Sequence, residues 1–171
     1  MARVATGDDA AFTDLVSRYG GRLFTVAHRL LGSRPDAEDA VQRALLQGYL
    51  GASGYRADWA VSTWLYRILT NVCVDELRRR AARDARVSAE VPDGDHPTAE
   101  YVDLHRALAR VPREARVLLA LRYVDGLSYD ELARVRGISV NTVKSQLARG
   151  KALLREALGE RGGFHDRARR S

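Results

Sequence analysis

Residues 141 to 149 of this chain include an asparagine, two hydroxyls and two cations at spacings that a single helical face can gather. If the segment is a helix, its 3.6-residue period puts Val143, Leu147, Gly150 and Leu154 on one side, and Asn141, Ser145 and Ala148 on the other, flanked by Lys144 and Arg149. Such an outward face suits the DNA major groove. Small residues permit close approach, amides and hydroxyls meet base edges, and cations neutralise phosphates. A solvated helix in an ordinary bundle would carry a similar face, so this pattern alone leaves both readings open.

Catalytic chemistry finds little footing. His28, His96, His105 and His165 show no metal-ligand spacing, and Cys73 sits beside an apolar stripe with no paired His. No Walker or dinucleotide fingerprint occurs. An inert thiol, no metal site, no cofactor and no enzymatic activity are therefore expected. Tyr55, Trp59, Trp64 and Tyr66 cluster beside Arg56 and Arg67, a composition that suits stacking of unpaired bases, although some of these rings must be core. Asp36, Glu38 and Asp39 open a helix and Arg78, Arg79 and Arg80 close one. Complementing the helix dipole explains both groups as well as a protein-docking edge and a phosphate-binding edge do.

The elements that position these residues read as helices throughout. Phe12, Leu15, Val16 and Tyr19, followed by Leu23, Val26, Ala27 and Leu30, predict at least an antiparallel helical pair before Gly32 stops the run. Ser33 caps a third helix, with Pro35 in its first turn and Ala37, Ala40, Val41, Ala44 and Leu45 as its stripe. A loop over 51–58 follows. Ser62 or Thr63 is the expected cap of a helix with Leu65, Ile68, Leu69, Val72 and Leu77 on one face. Beyond residue 100, Leu104, Leu108 and Val111 mark a short helix, and Pro112 opens another that ends near Gly126. Ser128 and Glu131 fit a capping box, Gly137 ends that helix, and Ser139 caps the next one, which runs to about Leu158. A short capped helix, a glycine turn and a second capped helix form the outline of a helix-turn-helix.

The 171 residues, 46% of them hydrophobic, are enough for one domain or two small ones. The 28 Lys and Arg against 22 Asp and Glu give a formal charge of +6, which favours a polyanionic partner. This charge is unevenly placed: residues 1–82 carry +2, 83–100 carry −3, 101–158 carry +5 and 159–171 carry +2. The acidic stretch around Pro92, Gly94 and Pro97 has a linker composition, and the tail from Gly159 has no apolar period. One cysteine, no secretory h-region in Met1 to Gly7, and no run of about 18 apolar residues predict a cytoplasmic protein with no membrane insertion.

At this level of detail the chain resembles a bacterial RNA polymerase sigma factor of the compact extracytoplasmic-function class. Arg29 to Gly32, Asp36 to Gln42, Ser62 to Ile68, Asn71, Asp75 and Leu77 to Arg79 resemble that family's promoter-melting domain. Leu121 to Ala133, Gly137 to Val140, Thr142 to Ser145 and Leu147 to Gly150 resemble its promoter-upstream domain. The resemblance implies an all-α fold of two small helical domains joined by a flexible linker: 8–83, then an acidic linker over 84–100, then a helix-turn-helix domain over 101–158, with a disordered tail over 159–171. It implies core polymerase as partner, with Asp36, Glu38, Asp39 and Gln42 on the surface that grips the clamp helices of the largest subunit. It also implies promoter DNA, with Tyr55, Arg56, Trp59, Ser62, Thr63, Arg67, Asn71, Asp75, Arg78 and Arg79 at the minus-10 element. Ser139, Asn141, Thr142, Lys144, Ser145 and Arg149 would contact the minus-35 element. Family members are often held by an anti-sigma factor, which no residue here reveals. Arg43, Arg136 and Gln146 depart from the family pattern at positions that are usually acidic, apolar and Arg respectively. The competing expectation, a free-standing homodimeric helix-turn-helix regulator, accounts for 101–158 and leaves the first block unexplained.

Overall fold

A computed structural model describes residues 1–55, 57–84 and 99–159. The expected linker, apart from its ends, the expected tail beyond Gly159, and Arg56 lie outside the described residues. The helices are α1 (Ala2–Ala5), α2 (Asp9–Leu31), α3 (Arg34–Leu50), α4 (Val61–Asp84), α5 (Ala99–Ala109), α6 (Arg113–Val124), α7 (Tyr129–Arg136) and α8 (Val140–Gly159), with a 3-10 turn at Ala52–Gly54.

Local chemistry sets most of the boundaries. Asp8 accepts from the Ala11 amide at 2.9 Å and starts α2. That helix runs unbroken through Gly20 and Gly21 where a pair was expected: neither glycine takes a positive φ, and apolar residues on both sides pack into the same core. Two mid-helix glycines cost about 1 kcal/mol each, less than a long buried stripe contributes. Gly32, at φ 75°, ends α2 in the left-handed region, and Ser33 caps α3 with Pro35 in the first turn, both as the sequence predicts. The expected cap of α4 is corrected. The helix already begins at Val61, so Ser62 and Thr63 lie inside its first turn, and Thr63 is buried. The capping box of α7 forms as predicted, with Ser128 Oγ accepting from the Glu131 amide at 3.2 Å and the Glu131 carboxylate accepting from the Ser128 amide at 2.7 Å. The Ser128 hydroxyl, donating to the Glu131 carboxylate at 2.7 Å, and then the Ser128 amide lower the carboxylate pKa.

The first lobe packs α2, α3 and α4 together, with α1 against the 3-10 turn and the ends of α2 and α3. In the second, α8 lies across α5, α6 and α7. Gly150 marks its closest approach: a Cβ there would sit 3.1 Å from Ala115 and 3.2 Å from Leu119. Arg116 threads beneath, donating from Nη2 to the carbonyls of Ala109 at 3.1 Å and Val111 at 3.2 Å, which satisfies the C-terminal end of α5. The two lobes also dock, α2 against α6 and α4 against α7, so that buried residues from both form one continuous cluster.

Candidate nucleic-acid and polymerase interface

The helix-turn-helix is built as its sequence outline predicts. Leu132 and Val135 of α7 and Val143 and Leu147 of α8 are buried, and Gly137 turns the chain between them at φ 66°. Ser139 Oγ accepts from the Thr142 amide at 3.1 Å and fixes the start of α8. Asn141, Lys144, Ser145, Ala148 and Arg149 are all exposed on its outer face. Neither Lys144 nor Arg149 has an ion pair among the described residues. The Ser145 hydroxyl bonds back to the Thr142 carbonyl at 3.0 Å, and Thr142 itself is half-buried against Ser139. Gln146, which departs from the family pattern, turns inward, with its amide oxygen buried.

Around α4 the expected residues divide. The Tyr55 ring meets Trp64 edge-on at 5.5 Å, and its hydroxyl donates to the Trp59 carbonyl. Trp59 lies beneath the Arg67 guanidinium at 5.3 Å, a platform at the loop-to-helix junction. Asn71, Asp75 and Arg78 follow along one exposed face, with Arg78 and Asp75 paired at 3.2 Å. Arg79 is exposed and pairs with Glu76 at 3.8 Å. Thr63 is only 2% exposed, so it supports the loop and offers no surface, and Ser62 is half-buried. Tyr66, left open as core or platform, is core. Its burial, then the neighbouring Asp125 carboxylate, push the phenol above its ordinary range.

On α3, Asp36 pairs with Arg80 of α4, which also donates to the Leu31 carbonyl at 2.9 Å, so this acid joins helices as well as opening one. Glu38 pairs with Arg34 at 2.9 Å and Asp39 with Arg43 at 3.3 Å, both on the surface. The unusual Arg43 thus finds a local acid. Gln42 is exposed. The sequence reading missed Leu46 and Leu50, 58% and 71% exposed, which continue the face bearing Asp39 and Gln42. Their spacing from Gln42, outside the buried stripe, was the available signal.

Cys73 is fully buried, its thiol pushed up to about 12 mainly by that burial, which leaves almost no thiolate at neutral pH. Among the described residues no cluster of His, Cys, Asp or Glu could hold a metal ion, and no helix is long and apolar enough to cross a membrane.

Comparison with known proteins matches residues 15–83 to sigma-70 region 2 and residues 101–154 to sigma-70 region 4. The ECF RNA polymerase sigma factor SigM of Mycobacterium tuberculosis is 36% identical over 162 residues, covering 93% of this chain and 83% of SigM. SigW of Bacillus subtilis is 32% identical over 176 residues, covering 92% and 94%. Among solved structures, CnrH in complex with the cytosolic domain of CnrY superposes with a TM-score of 0.76 at 27% identity, covering 94% of this chain and 96% of CnrH. RpoE of Bartonella quintana, solved with the anti-sigma factor NepR, shares the fold with a TM-score of 0.71 at 22% identity, covering 89% and 99%. The same comparisons give no support to a homodimeric regulator. Two helical lobes, matched in order and along nearly their whole length by such relatives, mean that the chain belongs to the extracytoplasmic-function class of RNA polymerase sigma factors, the initiation factors that recognise promoters for the polymerase.

Proposed function

We propose that the lobe over 101–158 holds the minus-35 element as duplex through Asn141, Lys144, Ser145 and Arg149, with Ser139 and Thr142 setting the helix start. The lobe over 8–83 captures minus-10 bases on Trp59, Arg67 and the α4 face of Asn71, Asp75, Arg78 and Arg79. The exposed outer face of α8, with cations that no acid neutralises among the described residues, is the observation that carries this reading. Capture of an unpaired base offsets an unpairing cost of a few kcal/mol and shifts the duplex toward the open form. Glu38, Asp39 and Gln42 face the clamp helices of the polymerase core, and the exposed Leu46 and Leu50 lend that surface apolar area. The chain performs no catalysis itself, works in the cytoplasm, and is open to restraint by a protein partner, as NepR binds the Bartonella sigma factor. Core polymerase reconstituted with this chain on supercoiled genomic DNA is expected to yield transcripts absent without it, whose start sites share upstream and downstream elements. Identical transcripts with and without the chain would refute the reading.

A further inference from the structure

Residues 1–7 lie ahead of the region 2 match, which starts at residue 15, yet they fold back onto the first lobe. Past α1 the Thr6 hydroxyl and the Asp8 amide both donate to the Arg3 carbonyl, at 2.9 and 3.0 Å, while Gly7 turns the chain at φ 82°. Arg3 Nε donates to Asp8 Oδ2 at 2.8 Å, and the other Asp8 oxygen accepts from the Ala11 amide. One carboxylate thus fastens α1 to the start of α2.

From that anchor α1 packs against the 3-10 turn Ala52–Gly54 and against α3. Gly51, Ser53 and Gly54 are exposed, so Ala52, 4% exposed, is the buried foothold of the turn, and Val4, 3% exposed, is that of α1. Two routes lead on from there to Tyr55. Along the backbone, the Tyr55 amide donates to the Ala52 carbonyl at 3.2 Å. Through side chains, Met1 and Val4 line an apolar crevice with Phe12, Leu45, Leu65 and the Trp64 indole, and Trp64 meets the Tyr55 ring edge-on at 5.5 Å. Trp64 is backed by α3, where a Cβ on Gly48 would lie 3.6 Å from its ring. Tyr55 then holds the Trp59 carbonyl, and Trp59 lies beneath Arg67. The loop carrying this platform is rich in glycine, alanine and serine and has little of its own to bury, so packing at its base must set its shape.

We propose that Val4, with α1, is a positioning residue for minus-10 capture: it supports the 3-10 turn and Trp64 and thereby holds Trp59 in place under Arg67. What the platform captures rests on the promoter reading, but the positioning itself does not.

Trp59 and Trp64 are the two tryptophans of the chain, so intrinsic emission reads this region alone. In the folded free chain, Val4→Ser is expected to raise acrylamide quenching of that emission about twofold, as the loop samples more open forms. Core polymerase carrying V4S is expected to bind a promoter mapped with the wild-type chain as tightly before opening. It should open that promoter about tenfold less, read by permanganate reactivity, because fewer loops are competent for capture. Val4→Ile, which keeps the branched apolar contact, should behave as wild type in both measurements. Val26→Ala, in the core of the same lobe, should lower the melting temperature and leave quenching and opening unchanged. Wild-type quenching in V4S, or an equal rise in V26A, overturns the positioning role. Raised quenching in V4S alone with undiminished opening overturns its link to capture. Wild-type chain that opens no promoter strikes the promoter reading, while the quenching series still decides the positioning.

Discussion

The outward faces of α8 and α4 each carry an amide and cations, yet they stand in opposite states. On α8 the cations face solvent without acids, and the apolar side is locked by Gly150 against Ala115 and Leu119. On α4 nearly every polar group already has a partner: Arg78 with Asp75, Arg79 with Glu76, Arg80 with Asp36, Arg67 over Trp59, Asn71 with Arg136. A face with uncompensated charge binds a phosphate backbone by releasing counterions. A face whose groups are satisfied internally must first exchange partners, so its binding is conditional. Under the proposed promoter reading, α8 makes a standing duplex contact and α4 a conditional one.

The sharpest way to break that contrast is to remove the α8 cations. K144A/R149A is expected to weaken promoter binding by the reconstituted polymerase about 100-fold and to lower the salt slope by about 2, read by filter binding across a salt series. R78A/R79A, whose guanidinia must leave Asp75 and Glu76 before meeting DNA, should cost about tenfold at most. Equal losses would mean that the partners of α4 do not matter.

The rigid seat of α8 gives the next largest effect. Gly150→Val must push aside Ala115 and Leu119, and is expected to destabilise the second lobe by about 2 kcal/mol, seen as a lower melting temperature. Breaking the capping box through Ser128→Ala should cost about 1 kcal/mol in the same measurement, because the Glu131 amide loses its acceptor.

The smallest effect is a pH dependence where the lobes dock. Burial, then neighbouring charges, hold His105 and His28 below the ordinary histidine range; His105 feels His28, Arg29 and Arg116, and His28 feels Arg29 and Arg34. The unfolded or parted chain takes up protons near pH 6.5 that the docked chain resists, so docking is fully favoured above that pH and weakens as pH falls below it. Protection at the α2–α5 boundary, taken relative to the base-catalysed intrinsic exchange rate at each pH, should therefore fall between pH 7.5 and 5.5, and the His105→Gln variant should lose most of that dependence. Protection on α8 on the same scale should show no matching change.

What was legible in the sequence follows from range. The caps at Ser33 and Ser128, the stops at Gly32 and Gly137, and the outward set on α8 all depend on partners within about four residues, and all stand where the sequence predicts them. The cap of α4 failed because Ser62 and Thr63 compete with tertiary burial, which drew Thr63 inside. The break expected within residues 12–30 failed because the apolar residues on both sides of Gly20 and Gly21 pack into one core along a single helix.

Residue types and spacing by themselves determined the two helical lobes, the helix-turn-helix and the solvent-facing side chains of α8, because a 3.6-residue period and end-capping are properties of short stretches of chain. Only the tertiary structure decided that the lobes dock, that Gln146 turns inward, and that Arg136 holds Thr70 and Asn71, partners 66 and 65 residues away. No local pattern encodes such pairings. They arise when two independently formed surfaces meet, and the surviving contacts are those that leave the fewest buried charges unpaired.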